Sequence, residues 1–229
     1  MDFNNTLYKL GFTPIEANVF ITLCKYGSLT GYEVAKLTGI SRSNVYAALY
    51  SLQEKGKCQL SEGETTKYIA ISKEDLLLST QREMSQTLEE IKQFFPHSIE
   101  THEPYVTIRG YTNVLNKIKN SIALCESHLY LLCSSHFVNL LKEDLLAISK
   151  TCRISIICET NLFLDPAITV YNRQRDPQGF HMIMDTASVV TGDLHLEHAQ
   201  CLFSKNESLV RLMRESFVTE LEMIALKVH

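Results

Sequence analysis

In the first third of the chain, apolar positions recur at helical spacing between strong start and stop signals. Thr13-Pro14-Ile15-Glu16 has the form of a capping box with proline in the first turn. Ala17, Phe20, Ile21 and Cys24 follow at i, i+3, i+4 and i+7, and Gly27 ends the stripe. Thr30-Gly31-Tyr32-Glu33 repeats the box before a short helix (Tyr32, Val34, Ala35, Leu37) that stops at Gly39. Ser41 is placed to cap a third helix that runs to Gly56. Beyond it, Cys58 and Leu60, then Tyr68, Ile69 and Ile71, read as two strands about the turn Glu62-Gly63-Glu64. Three short helices and a hairpin predict a winged helix over residues 1–72, its second and third helices forming a helix-turn-helix.

At about 100° per residue, the third helix turns Val45, Ala48, Leu49 and Leu52 inward and Ser43, Tyr46, Ala47 and Tyr50 outward, with Arg42 and Asn44 on the flanks. A helix that reads duplex DNA must present short polar groups and a cation to base edges and phosphates. Ser41, Arg42, Ser43 and Asn44 supply these, and the positive end of the helix dipole favours a phosphate beside them. Arg42 is the most informative, because neither capping nor packing requires it. Tyr46 and Tyr50 fit contact with DNA and packing against the wing equally well.

Ser72-Lys73-Glu74-Asp75 starts a longer helix that Pro96 stops. Leu77, Gln81, Met84, Leu88, Ile91 and Phe95 alternate along it in steps of four and three, a coiled-coil seam with one polar break. The stripe fits a resting place on a second domain or a symmetric pair. Pairing is favoured, because two winged helices on a coiled coil read two half-sites. Residues 73–96 are therefore expected to connect and to dimerise, with Leu77, Met84, Leu88, Ile91 and Phe95 at the contact and a homodimer as the assembly. Residues 97–104 are polar and read as a linker. From Tyr105 the rhythm changes to alternating strands and helices. Strands are expected at 105–108, 129–133, 154–158, 168–171, 180–184, 189–191 and 201–203. Helices are expected at about 112–124 and from Ser135 through Ile148, before a closing amphipathic helix with Leu209, Leu212, Met213, Phe217, Leu221 and Ile224. This predicts an α/β domain over 105–229 with a mostly parallel sheet, and an α+β chain overall.

Composition adds limits rather than new candidates. The chain has 229 residues, 45% hydrophobic, with formal charge −4. That excludes a polybasic surface averaged over the whole molecule. The charge divides unevenly, however. Residues 1–73 hold eight cations against six anions, and the remainder holds fourteen against twenty. The predicted DNA reader is thus the mildly basic part. No run approaches the ~18 apolar residues of a membrane span. Met1-Asp2-Phe3-Asn4-Asn5 also lacks the pattern of a signal peptide, so a cytoplasmic location is expected. Seven cysteines without Cys-x2–4-Cys spacing read as reduced thiols, mostly in apolar runs.

Two side-chain groups of the C-terminal half could bind something. His195, Glu197 and His198, with His181, Asp185 and Asp193, form a potential metal or anion cluster. Gly192-Asp193-Leu194-His195 reads as a solvated loop rather than the helix that would align the histidines, so no metal is expected, and no cofactor either. Arg109, Arg173 and Arg175 fit an anionic effector or ordinary surface charge equally.

Leu10-Gly11-Phe12-Thr13-x-x-Glu16-Ala17, followed by Gly39-Ile40-Ser41-Arg42-Ser43-Asn44-Val45-Tyr46-x-x-Leu49-x-x-Leu52-x-x-x-Gly56, resembles the winged-helix domain of the TrmB family of transcriptional regulators. The resemblance implies a DNA-binding regulator whose partner is an operator in double-stranded DNA. Two departures stand out. Lys57-Cys58 occupies a place that is commonly apolar in the family, and the wing has one cation where the family commonly has several. The wing's contacts then fall to Thr66 and Lys67. The expected DNA-binding set is Ser41, Arg42, Ser43, Asn44, Tyr46, Ala47, Tyr50, Thr66 and Lys67.

Residues 180–185, Ser188-Val189-Val190-Thr191-Gly192 and Phe217-x-x-Glu220-Leu221 resemble the phospholipase D-like effector domain of many such regulators. This implies a small-molecule effector, a sugar by the family's name, with no residues assigned to it. The enzymes of that superfamily use His-x-Lys-x4-Asp. Setting Asp185 in register places Gln178 and Phe180 at the His and Lys positions, so no enzyme is expected. The alternatives are a winged helix that binds protein rather than DNA, and a catalytically degenerate phospholipase D-like protein.

Overall fold

The computed structural model describes residues 2–61, 63, 65–96, 105–173 and 178–226. The chain divides into two compact units, residues 1–99 and 100–229.

The first unit opens with α1 (Phe3–Lys9), absent from the helices expected above. Only Leu7 of α1 is buried, so the segment carries no apolar stripe, and its start depends on the Asp2 carboxylate accepting from the Asn4 N–H. Helix α2 (Pro14–Tyr26) starts on the expected capping box of Thr13 and Glu16 and ends at Gly27. Cys24 departs from its expected face and is exposed. Helix α3 (Gly31–Thr38) starts on the second box, Thr30 with Glu33, and ends at Gly39 in the left-handed region. Helix α4 (Arg42–Glu54) ends in a Schellman turn. Gly56 takes the positive φ there, its N–H bonds to Gln53 O, and the Lys57 N–H reaches Leu52 O at 2.7 Å. Strands β1 (Cys58–Ser61) and β2 (Lys67–Ala70) pair antiparallel as the wing. Glu62 and Glu64 of the expected turn lie outside the described residues. Leu29 and Tyr68 exchange backbone hydrogen bonds, which fastens the wing to the segment before α3.

One core serves this unit, with Leu7, Phe20, Leu23, Val45, Leu49 and Leu52 fully enclosed. Helix α5 (Lys73–Phe94) starts at Ser72, whose hydroxyl accepts from the Asp75 N–H, and buries no residue. Its Leu76 leans on that core. The expected linker at 97–104 lies outside the described residues.

The second unit is a seven-stranded sheet with helices on both faces. Its elements are β3 (Val106–Arg109), α6 (Tyr111–Ala123), β4 (His128–Leu132), α7 (Ser135–Leu140), α8 (Lys142–Ile148), β5 (Arg153–Cys158), β6 (Ile168–Asn172), β7 (Phe180–Met184), β8 (Ser188–Asp193), β9 (Gln200–Ser204) and α9 (Glu207–Leu226). The helix expected to run unbroken to Ile148 is two helices that part at Leu141, and Ser134 rather than Ser135 caps the first. The Ser135 N–H and hydroxyl are instead held by the Glu159 carboxylate.

The strand order is β3-β9-β8-β7-β4-β5-β6. Only β4/β5 and β5/β6 are parallel; the other four pairings are antiparallel. The expectation of a mostly parallel sheet is therefore corrected. Parallel neighbours need a crossover connection, whereas β7, β8 and β9 follow one another through short hairpin connections and can only pair antiparallel. Helices α6, α7 and α8 cover one face over Leu129, Leu131, Ile154, Ile156 and Met182. Helix α9 covers the other over Leu132, Ile157, Ile183 and Val189. Val210 and Phe217 are its buried anchors, while Leu212, expected on the inner face, is exposed. Six cysteines are buried, and burial pushes the Cys58 thiol up to about 11.

The β7–β8 turn, three residues between the paired Met184 and Ser188, places Asp185 and Thr186 at positive φ with an Ala187 N–H to Met184 O bond. Threonine is a costly residue there. The Asp185 carboxylate compensates by accepting from the N–H groups of Glu126, Ser127 and His128 and from the Ser127 hydroxyl. Burial acts to raise the Asp185 pKa, but those donors outweigh it and hold the carboxyl far below the ordinary 3.8. A depressed pKa stabilises the folded state above the ordinary value, and that stability is lost as pH falls below it. Asp185→Asn is expected to cost about 1–3 kcal/mol at neutral pH by denaturant unfolding. The gap from wild type should narrow below the ordinary aspartate value of 3.8.

Candidate nucleic-acid interface

The surface in question is the outer face of α4. Val45, Ala48, Leu49 and Leu52 are buried against α2 and α3, so the opposite side of the helix must face solvent. Ser41, Arg42, Ser43, Asn44, Tyr46, Ala47 and Tyr50 are all exposed.

Ser41 stands at the N-cap, but its hydroxyl makes no capping bond and meets the Ser43 hydroxyl at 3.2 Å. The first turn of α4 therefore keeps its N–H groups free of any side-chain cap, unlike α2 and α3. Free N–H groups at the positive end of a helix suit a phosphate. Arg42 is less free than the sequence suggested. Its guanidinium lies over the Tyr32 ring on α3, 4.4 Å from the centroid. Stacking leaves the guanidinium edge, with its fork of donors, available for an anion.

The two tyrosines differ. The Tyr46 ring lies against Gly31 so closely that a Cβ there would come within 2.6 Å of it. Tyr46 also bears on Tyr68 in the wing, whose phenol is pushed up by burial first and then by Tyr46 and Cys58. Tyr46 thus packs against α3 while remaining half exposed. Tyr50, 66% exposed, projects from the middle of α4. Thr66 and Lys67 are exposed at the start of β2, and Lys67 contributes to lowering the Glu33 carboxyl, after its bonds with Thr30.

Glu16, which looked like capping chemistry alone, also positions α4. Its buried carboxylate accepts from the Thr13 N–H, from the Ser51 hydroxyl at 2.6 Å and from Lys55 Nζ at 2.7 Å. Burial acts to raise its pKa, but Lys55, Ser51 and Thr13 outweigh that and hold it below the ordinary range.

Residues 7–74 match the family model described as the sugar-specific transcriptional regulator TrmB. The N-terminal unit carries a TrmB domain. The chain is 28% identical over 128 residues to the uncharacterized protein YrhO of Bacillus subtilis, covering 55% of this chain and 46% of that protein. It is 27% identical over 122 residues to the HTH-type sugar sensing transcriptional regulator TrmBL1 of Pyrococcus furiosus, covering 51% of this chain and 36% of that one. The matches thus span about half or less of these relatives. Among solved structures, TrmBL2, an archaeal chromatin protein with a novel mode of DNA binding, is 17% identical with a TM-score of 0.47, covering 93% of this chain and 94% of that one.

Outside the TrmB domain, the other candidate groups do not converge. His195, Glu197 and His198 lie in an exposed loop, and Asp185 sits at the far end of β7 from it. His181 faces Thr191, with Nδ1 2.6 Å from Oγ1. Its pKa is lowered by burial and then by Arg173. Among the described residues no group of three or more such ligands could hold a metal. Arg173 is paired with Glu220 on α9 at 3.2 Å, which removes it as a free anion ligand. Arg109 stays exposed, and Arg175 lies outside the described residues. Gln178 and Phe180 border a depression of about 1020 Å³, together with Ser134, His136, Asp193 and His195. Phe180 is buried and stacked on Phe137 at 4.9 Å, so it occupies the expected lysine position with an apolar ring. Among the described residues no helix is long and apolar enough to cross a membrane.

Glu16→Gln removes the charge that Lys55 and Ser51 share inside the TrmB domain. It is expected to lower the domain's stability by about 1–3 kcal/mol, read by denaturant unfolding. Glu16→Asp, which keeps the charge, should lose less.

Proposed function

We propose that the protein is a DNA-binding transcriptional regulator that works as a homodimer, with the C-terminal unit sensing a small molecule. The observation that carries this reading is the outer face of α4: exposed Ser41, Arg42, Ser43, Asn44, Ala47 and Tyr50 beside a first turn that no side chain caps. The match of residues 7–74 to the TrmB family supports it. In this reading Arg42 and the free N–H groups hold a phosphate, the short polar residues meet base edges, and Tyr50, Thr66 and Lys67 flank them. Tyr46 contributes its exposed edge while bracing α4 on α3.

The exposed seam of α5 supports the dimer. Leu77, Met84, Leu88 and Ile91 on α5, and Phe95 at its C-cap, are each more than half exposed, and the helix buries nothing within its own unit. Apolar side chains in heptad spacing are expected to meet an equivalent helix. The effector, a sugar by the family's description, would bias two arrangements of the paired readers from the C-terminal unit. The protein is read as a non-enzyme, because Gln178 and Phe180 can supply neither a phosphodiesterase nucleophile nor a phosphate cation.

Fluorescence anisotropy on the promoter DNA upstream of its own gene, across a salt series, tests the reading. Arg42→Ala should weaken binding and lower the salt slope by about one unit. Affinity unchanged in that variant removes α4 as the reader. If the wild type shows no salt-dependent binding while remaining dimeric, the winged helix binds protein instead. Separately, Leu88→Glu should convert the dimer to a monomer by light scattering and weaken DNA binding with it. A dimer that survives the change places the interface elsewhere.

A further inference from the structure

Lys57, whose place is commonly apolar in the family that this segment resembles, is buried in the structure. Lysine is almost never fully buried without a partner. Here Nζ donates to Glu83 Oε1 at 2.7 Å and to Ser79 Oγ at 3.3 Å, both on α5. The backbone of Lys57 is equally committed. Its N–H closes the Schellman turn at the end of α4, and its carbonyl accepts from the Ile71 N–H just before α5 begins. One residue therefore joins the end of the reading helix, the root of the wing and the second and third turns of the connecting helix.

Beside these bonds, α5 rests on the edge of the reader's core through Leu76, and no residue of the helix is fully buried. Leu76, Ser79 and Glu83 share one face. At 3.6 residues per turn that face lies roughly 120° round the helix from Leu77, Met84, Leu88 and Ile91. The reader-facing side and the proposed dimer seam thus do not compete. A helix held at two points on one side has a set direction; held at Leu76 alone, it would swing.

We propose that the Lys57/Glu83 pair sets the angle at which the reader is mounted on α5, and so sets the half-site spacing that the dimer accepts on DNA. This rests on the DNA-binding dimer proposed above. Lys57 and Glu83 are positioning residues that touch no DNA. Duplex DNA rotates by about 34° per base pair, so a spacer change of two base pairs demands a large reorientation of one reader relative to the other. Two readers rigidly mounted lose simultaneous engagement off their spacing, and loosely mounted ones tolerate it.

The test uses the full chain and duplexes selected by the wild type from a random pool, then rebuilt with the spacer between half-sites changed one base pair at a time. Wild type is expected to prefer one spacer by about tenfold or more over spacers two base pairs away. Glu83→Gln should flatten that profile to within about threefold and weaken the best site, while the salt slope, which counts phosphate contacts, stays the same. Because Glu83→Gln leaves a buried ammonium without its counter-charge, Lys57→Met combined with Glu83→Gln serves as the second variant. It has no buried charge to strand and should show the same flat profile with an unchanged thermal midpoint. A wild-type profile in a folded Glu83→Gln or in the double variant overturns the proposal, as does a wild type indifferent to spacing. A wild type that selects no duplex overturns the DNA-binding reading itself, which is a different result.

Discussion

The outer face of α4 depends on a charge that is not on it. Glu16 lies in the first turn of α2, with its carboxylate buried between that turn and the C-terminal half of α4. A bare carboxylate in that position would be costly. Three donors make it a joint: the Thr13 N–H, the Ser51 hydroxyl and Lys55 Nζ. Ser51 and Lys55 are one turn apart on α4, so the joint fixes both the roll of that helix and its far end. The outer face of α4 inherits its direction from this and from the apolar side opposite. Side chains from Arg42 to Tyr50 can stay exposed because the work of holding the helix is done elsewhere.

Helix α5 solves a related problem with fewer contacts. It turns its Leu76, Ser79 and Glu83 side to the winged helix and leaves an apolar stripe on another side exposed. Apolar packing is non-directional, and Leu76 alone would allow many angles. A buried ammonium bonded to a carboxylate and a hydroxyl is directional. The lysine at position 57 therefore sits where a hydrophobic residue would give adhesion without orientation.

The C-terminal unit shows the same economy in its turns. Asp185, which falls at the aspartate when the chain is set against His-x-Lys-x4-Asp, is committed to four donors from the Glu126–Ser127–His128 segment. Those bonds hold a hairpin whose next residue, Thr186, is in an unfavourable backbone region. Glu159 likewise spends its carboxylate on Ser135 at the start of α7. Charged residues that could suggest chemistry are here occupied in holding the ends of strands and helices.

Most local signals read correctly; the exceptions are Ser41, which makes no capping bond, Ser135, which yields the cap to Ser134, and Cys24, which is exposed. The boxes at Thr13 and Thr30, the stops at Gly27 and Gly39, the Gly56 turn and the inward side of α4 follow from nearest-neighbour hydrogen bonding and helical period, which the sequence by itself determines. It also located α5, the strands of the second unit and the outward set from Ser41 to Tyr50. Helix α1 was illegible because one buried leucine makes no stripe. What only the tertiary structure decided depends on partners distant along the chain. The strand pairing of the sheet is one case: β4 neighbours β7, and β3 neighbours β9, which no local pattern encodes. The others are the stacking of Arg42 on Tyr32, the seat of Tyr46 beside Gly31, the burial of Glu16 under Lys55 and that of Lys57 under Glu83. A side chain's period tells which way it points. Its charge state, partner and freedom are set by what the fold brings to meet it.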